Sequence, residues 1–155
     1  MLIKTKYFGE IDLSEDKIIT FDNGIMGFEK YKRYTLLFDE EEKEETIIMW
    51  LQSLDEEALA LPVINPLYVD ENYDPQVNDE LLASLGKLTE QNLCVLITLT
   101  VPSDPKEMTA NLKAPLIINS DIRRGCQLIV ENKEYEIRYK AFEAIRRIRE
   151  MKGGE

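Results

Sequence analysis

Apolar and polar residues alternate in short runs along most of the chain, with turn residues between the runs, and this period of two predicts β-structure. Leu2 to Tyr7 alternates, Gly9 permits a turn and Ile11 to Leu13 follows, which predicts an N-terminal hairpin. Lys17 to Phe21, Tyr34 to Phe38, Thr46 to Gln52 and Ala58 to Ile64 are further strand candidates, the third carrying Trp50. Leu93 to Val101 is the longest run and is apolar on both faces, which predicts a central strand. Gln127 to Glu131 and Glu134 to Tyr139 read as a hairpin around Asn132-Lys133, after a turn at Arg123-Arg124-Gly125. Two stretches switch period. Asn78 or Asp79 can cap a short helix with Leu81, Leu82, Leu85 and Leu88 on one side, although Gly86 weakens it. Near the end, Phe142, Ile145, Ile148 and Met151 recur at steps of three, an amphipathic helix closing at Gly153-Gly154.

The turn residues sharpen this outline. Asp22-Asn23-Gly24 tolerates positive φ, and Ile25-Met26-Gly27-Phe28 then forms a glycine-bracketed loop that tucks apolar side chains onto the sheet. Asn65-Pro66 ends a strand, because a residue before proline is pushed towards extended geometry. In Thr109 to Asn119 a polar turn meets the apolar run Leu116-Ile117-Ile118 through Pro115, which reads as a turn feeding a buried strand.

At 155 residues the chain fits one domain, large enough to hold a core without metal or disulfide. Charge changes the picture more than length does. With 19 Lys and Arg against 30 Asp and Glu, the formal charge is -11, which argues against direct nucleic-acid binding and favours basic partners. The run Asp39 to Glu45 is expected to be an exposed loop between strands. Residues 138–155 reverse the balance, with six basic and three acidic residues for a net of +3, which leaves -14 for the rest. The chain divides on this basis into a β-domain, 1–139, and a basic amphipathic segment, 140–155, expected to fold back on the acidic body. Leu2 to Lys6 has no secretory h-region, and no window approaches the ~18 apolar residues of a membrane span. The expectation is a soluble intracellular protein that does not engage membranes.

Chemistry finds little footing. There is no histidine, the commonest general base. Neither a nucleophile elbow nor a phosphate-binding loop occurs, and Cys94 and Cys126 form no C-x-x-C pair. No cofactor or metal is expected, and no carboxylate pair is singled out by spacing.

Three stretches together resemble the FliW flagellar assembly factors of bacteria. They are Phe21 with Asn23-Gly24-Ile25 and Gly27-Phe28, Leu51-Gln52-Ser53 to Asn65-Pro66, and above all Thr109-Ala110-Asn111-Leu112 with Ala114-Pro115 and Ile118-Asn119. The likeness runs from about Met1 to about Tyr139. It implies a mainly β, antiparallel barrel-like single domain, here with one short helix in the body and a C-terminal amphipathic helix. It also implies a chain that ends soon after Tyr135 and Arg138, so the basic helix stands as a departure. The implied role is a non-enzymatic cytoplasmic regulator, monomeric when free, with two protein partners: flagellin, and the RNA-binding translational repressor CsrA that the family antagonises. A CsrA contact is expected on an acidic face, with Asp70, Glu71 and Asp104 as rim charge and Tyr68 as anchor. Asn111 and Leu112 are candidates for a partner-facing turn, against the alternative that Asn111 ties that turn down by backbone hydrogen bonds. The other function class kept open is a small-molecule-binding barrel.

Overall fold

The computed structural model describes residues 1–38 and 48–153. The acidic run Asp39 to Glu45 therefore lies outside the described residues. Strands β1 (Leu2–Lys4) and β2 (Glu10–Asp12) form the expected antiparallel hairpin. Then β3 (Ile19–Phe21), β4 (Arg33–Leu37), β5 (Ile48–Ser53), β6 (Ala60–Ile64) and β7 (Leu93–Thr100) each pair antiparallel with the next. Two short strands follow, β8 (Thr109–Ala110) and β9 (Leu116–Asn119), and then β10 (Arg124–Gln127) and β11 (Tyr139–Lys140). Strand β9 pairs with both β10 and β7, while β10 runs parallel to β3, so β3 to β7 with β9 and β10 close into a seven-stranded barrel. Helix α1 (Phe142–Gly153) ends the chain.

The alternation explains how the barrel fills. Phe21, Tyr34, Leu51, Val63 and Leu116 point inward from five different strands and are fully buried, so side chains occupy the barrel interior. The opposite faces of β6 and β7 are also apolar. Ile64, Ile97 and Leu99 pack outside the barrel with Val69, Tyr73, Met108 and Leu112, under Ala141 and Ile145 of the C-terminal segment. Strand β9 likewise buries Leu116 and Ile118 inward and Ile117 outward, against Leu85 and Leu128. Both β7 and β9 are thus buried on two faces, which is why their sequences read as continuous apolar runs.

The turn chemistry holds in detail. Gly24 has φ +69 and donates its N–H to the Phe21 carbonyl (2.8 Å). A Cβ there would lie 2.5 Å from the Glu29 carbonyl oxygen, so only glycine fits. The following loop is half tucked, with Ile25 buried and Phe28 exposed. Pro115 is buried and directly precedes β9, so the turn feeding a buried strand is present.

The expected short body helix is present, and two other expectations need correction. The body helix is a 3-10 helix, Asp79–Leu85, capped by the Asn78 side chain and ended by Gly86 at φ +69. Arg124 and Gly125 belong to β10, and the turn before it ends on Arg123. The hairpin around Asn132-Lys133 does not form, because its first limb finds other partners. Leu128 and Val130 donate to the Pro115 and Lys113 carbonyls, and Glu131 to Gln76. The second limb contributes only β11, which pairs with β8.

Candidate functional site

The residues expected to meet a partner sit on two loops at one side of the barrel. The first loop follows β6. Asn65 Oδ1 accepts the Leu67 N–H (3.0 Å) and caps a 3-10 turn, Pro66–Tyr68. This places Leu67 at 53% and Tyr68 at 39% exposure. Asp70 comes next, half-buried, its Oδ1 accepting the Asn72 N–H (3.0 Å), and Glu71 beside it is exposed. The second loop follows β7. Asp104 is exposed and caps the 3-10 turn Pro105–Glu107 by accepting the Lys106 N–H (3.1 Å). Helix α1 packs against both turns, so the two acidic loops flank one helix. Asp70 and Asp104 each spend one oxygen on a turn, which fixes where their remaining negative charge is presented.

Asn111 and Leu112 lie beneath this surface. Asn111 Oδ1 accepts the N–H groups of Lys113 (3.1 Å) and Ala114 (3.0 Å), so it ties the turn down as the alternative reading held. Leu112 is 1% exposed and its carbonyl accepts the Tyr73 hydroxyl (2.7 Å). A partner-facing Leu112 is therefore corrected: its apolar side chain is part of the core under the helix. Burial, with the charges of Tyr135 and Asp70 adding to it, raises the Tyr73 pKa well above the usual phenol value.

The helix reaches the body through apolar contacts. Ile145, with Ala141 just before the helix, is buried in one cluster with Val69 and Met108. Arg146 pairs within the helix, with Glu143 (2.8 Å) and Glu150 (2.7 Å), and this hydrogen bonding holds the Glu143 carboxyl below its ordinary pKa. Among the described residues no ion pair joins the helix to the acidic loops.

Other polar residues of the three quoted stretches also prove to be staples. Gln52 is 1% exposed. Its Nε2 donates to the carbonyls of Ser53 (3.0 Å), Glu57 (3.1 Å) and Leu59 (3.1 Å), while its Oε1 accepts the Lys6 N–H (2.9 Å). Asn119, also buried, donates to the Leu85 carbonyl (2.7 Å) and accepts from Asp121 N–H (2.9 Å). Sequence reading missed Gln52 as a hub, although a glutamine inside an apolar run was the available signal. Burial raises the thiol pKa of both Cys94 and Cys126, so neither is poised as a nucleophile.

Comparison with known proteins fits this geometry. Residues 2–141 match the family described as FliW protein. The flagellar assembly factor FliW of Lachnoclostridium phytofermentans is 52% identical over 155 residues, covering 100% of this chain and 99% of that protein. That of Thermotoga neapolitana is 39% identical, covering 97% and 99%. A crystal structure of the flagellar assembly factor FliW superposes with a TM-score of 0.82 at 34% identity, covering 92% of this chain and 97% of that one. The first of these alignments also covers the residues of the basic helix, whereas the family match stops at residue 141. The chain belongs to the FliW family of flagellar assembly factors.

Proposed function

We propose that this protein regulates flagellum assembly in the cytoplasm by partner exchange, without making or breaking bonds. It holds flagellin before export and, when free of it, binds CsrA and relieves its repression of translation. Family membership is the observation that carries this reading. The acidic face supports the CsrA half of it. An RNA-binding protein presents positive surface, and the two loops that flank helix α1 carry Asp70, half-buried, with Glu71 and Asp104, exposed, the first loop also exposing Leu67 and Tyr68.

The test is the affinity for CsrA across a salt series, with a triple variant Asp70→Asn, Glu71→Gln, Asp104→Asn. Asparagine keeps the capping oxygen at 70 and 104 while removing charge. Wild-type binding is expected to weaken with salt, and the triple variant to bind about tenfold or more weakly with a shallower salt slope. An affinity that salt and the three substitutions leave unchanged would overturn the acidic-face assignment. Co-purification of neither flagellin nor CsrA with the full chain would overturn the regulator reading itself.

A further inference from the structure

The turn that opens the glycine-bracketed loop carries chemistry of its own. Of the eight asparagines in the chain, only Asn23 is followed by glycine. Glycine has no side chain to shield its own nitrogen, which makes an Asn-Gly bond the most reactive of its kind. Once deprotonated, that nitrogen can attack the asparagine Cγ. The new N–C bond closes a five-membered imide, and the Cγ–Nδ2 bond breaks with release of ammonia. Water then opens the imide at either carbonyl. One opening leaves aspartate. The other leaves isoaspartate, with the main chain rerouted through Cβ and so one carbon longer.

The fold leaves one reactant free and restrains the other. Asn23 is exposed, and its side chain makes no hydrogen bond among the described residues, so the Cγ end can move. Gly24 is buried and donates its N–H to the Phe21 carbonyl (2.8 Å), which shelters the proton that base must remove. This bond closes a four-residue turn in which neither Asp22 nor Asn23 has positive φ, the type I class. The third residue of such a turn has ψ of about 0°, and that swings the Gly24 nitrogen away from the Asn23 side chain it would have to reach. The turn is pinned in its place. Ile25 is buried among the inward-facing residues of the barrel, the Phe28 N–H returns to the Ile25 carbonyl (2.7 Å), and Gln127 Oε1 holds the Met26 N–H (2.8 Å).

The two products fit unequally. Aspartate at 23 keeps the backbone and adds one charge at an exposed site, next to the Asp22 that pairs with Arg124. Isoaspartate lengthens the turn, and the Gly24 it displaces already stands so close to Glu29 that a Cβ would lie 2.5 Å from the Glu29 carbonyl oxygen. A longer main chain has no room there, so the turn and the anchoring of Ile25 are lost together.

We propose that Asn23 is a site of spontaneous deamidation that the native turn suppresses, so that the reaction marks chains in which this turn is open and its isoaspartate product keeps them open. The proposal rests on the turn alone and holds whichever partners the protein has.

The experiment incubates the full-length protein, native and unfolded in urea, at one mildly alkaline pH and one temperature, and follows every asparagine by peptide mapping. Protein isoaspartate methyltransferase serves as the probe for isoaspartate. In urea, Asn23 is expected to react first of the eight. In the native protein it is expected to react about tenfold or more slowly, because the reaction then draws on the small fraction of open turns. Ile25→Val, which loosens the anchor of the loop, is expected to raise the native rate about fivefold and to leave the rate in urea unchanged. Thermal melts check that this variant folds, and the comparison of native with unfolded wild type carries the test without it. After dilution from urea, chains with isoaspartate at 23 are expected to melt well below the parent, whereas Asn23→Asp melts with it. Equal rates in the two states, or a reaction at Asn23 no faster than at the other asparagines in urea, would overturn the proposal. Isoaspartate chains that refold to the parent melting temperature would overturn its second half.

Discussion

Two buried tyrosines separate what a hydroxyl does from what a ring does. Tyr34 is fully buried, packs edge-on against Phe21 with ring centroids 5.6 Å apart, and its hydroxyl has no hydrogen-bond partner among the described residues. Tyr73 donates its hydroxyl to the Leu112 carbonyl. Tyr34→Phe is therefore expected to leave stability at neutral pH unchanged or raise it by about 1 kcal/mol, and Tyr73→Phe to lower it by about 1–2 kcal/mol. Urea denaturation of the two variants checks this contrast. Alkaline pH adds a second reading. Burial, with smaller contributions from Asp55 and Tyr31, pushes the Tyr34 pKa up to about 12, above the ~10 of an unfolded tyrosine. The unfolded chain then sheds a proton that the folded chain keeps, so this contribution is complete below pH ~10 and is lost as pH rises towards 12. Tyr34→Phe should flatten that decline, and a pH series of melting temperatures measures it. Backbone geometry gives another residue-scale contrast. Gly24 and Gly9 both have positive φ, but only at Gly24 would a Cβ collide with backbone. Gly9→Ala is expected to cost about 1 kcal/mol, and Gly24→Ala distinctly more.

At the scale of elements, the C-terminal helix behaves as part of the core. Ile145 is 3% exposed and packs with Ile64, Leu99 and Met108, so Ile145→Ala should lower stability by about 2–5 kcal/mol. Arg147→Ala, on the exposed side, should stay within about 0.5 kcal/mol. Chemical denaturation of the pair would show which description of the helix holds. Its apolar face was legible in the sequence from the steps of three, as were the strands whose two-residue period matched one buried face. The elements that failed share a cause. Asn132-Lys133 looked like a local hairpin turn, but the flanking backbone pairs with residues 113–115 and 76, and no local pattern announces a partner that distant. Asp70, Glu71 and Asp104 could be picked out because acids in loops announce themselves by composition. Leu112 could not be placed, since a leucine in a polar turn points either way until the helix that covers it is known. The pairing of β10 with β3 was invisible for the strongest reason: it exists only through the register of strands drawn from opposite ends of the chain.

For the whole molecule, closure is the organising fact. Strand β9 joins β10 on one edge and β7 on the other, so it closes the barrel and has no free edge of its own. Amides of Leu116–Asn119 should accordingly be among the slowest to exchange, and those of the β1–β2 hairpin, which pairs only with itself, among the faster, as native-state hydrogen exchange would show. The same closure sets a clock on biosynthesis. Thr20 and its partner Arg124 are separated by 104 residues, which at roughly 5–20 residues per second is about 5–20 s of translation. Through that interval β3 waits on the ribosome with an edge unpaired, while β7, made late in it, waits only until β9 follows. A message broken before the codons for β10 would yield a sheet with two sticky sides and no finished barrel, a product for chaperones and proteases to handle.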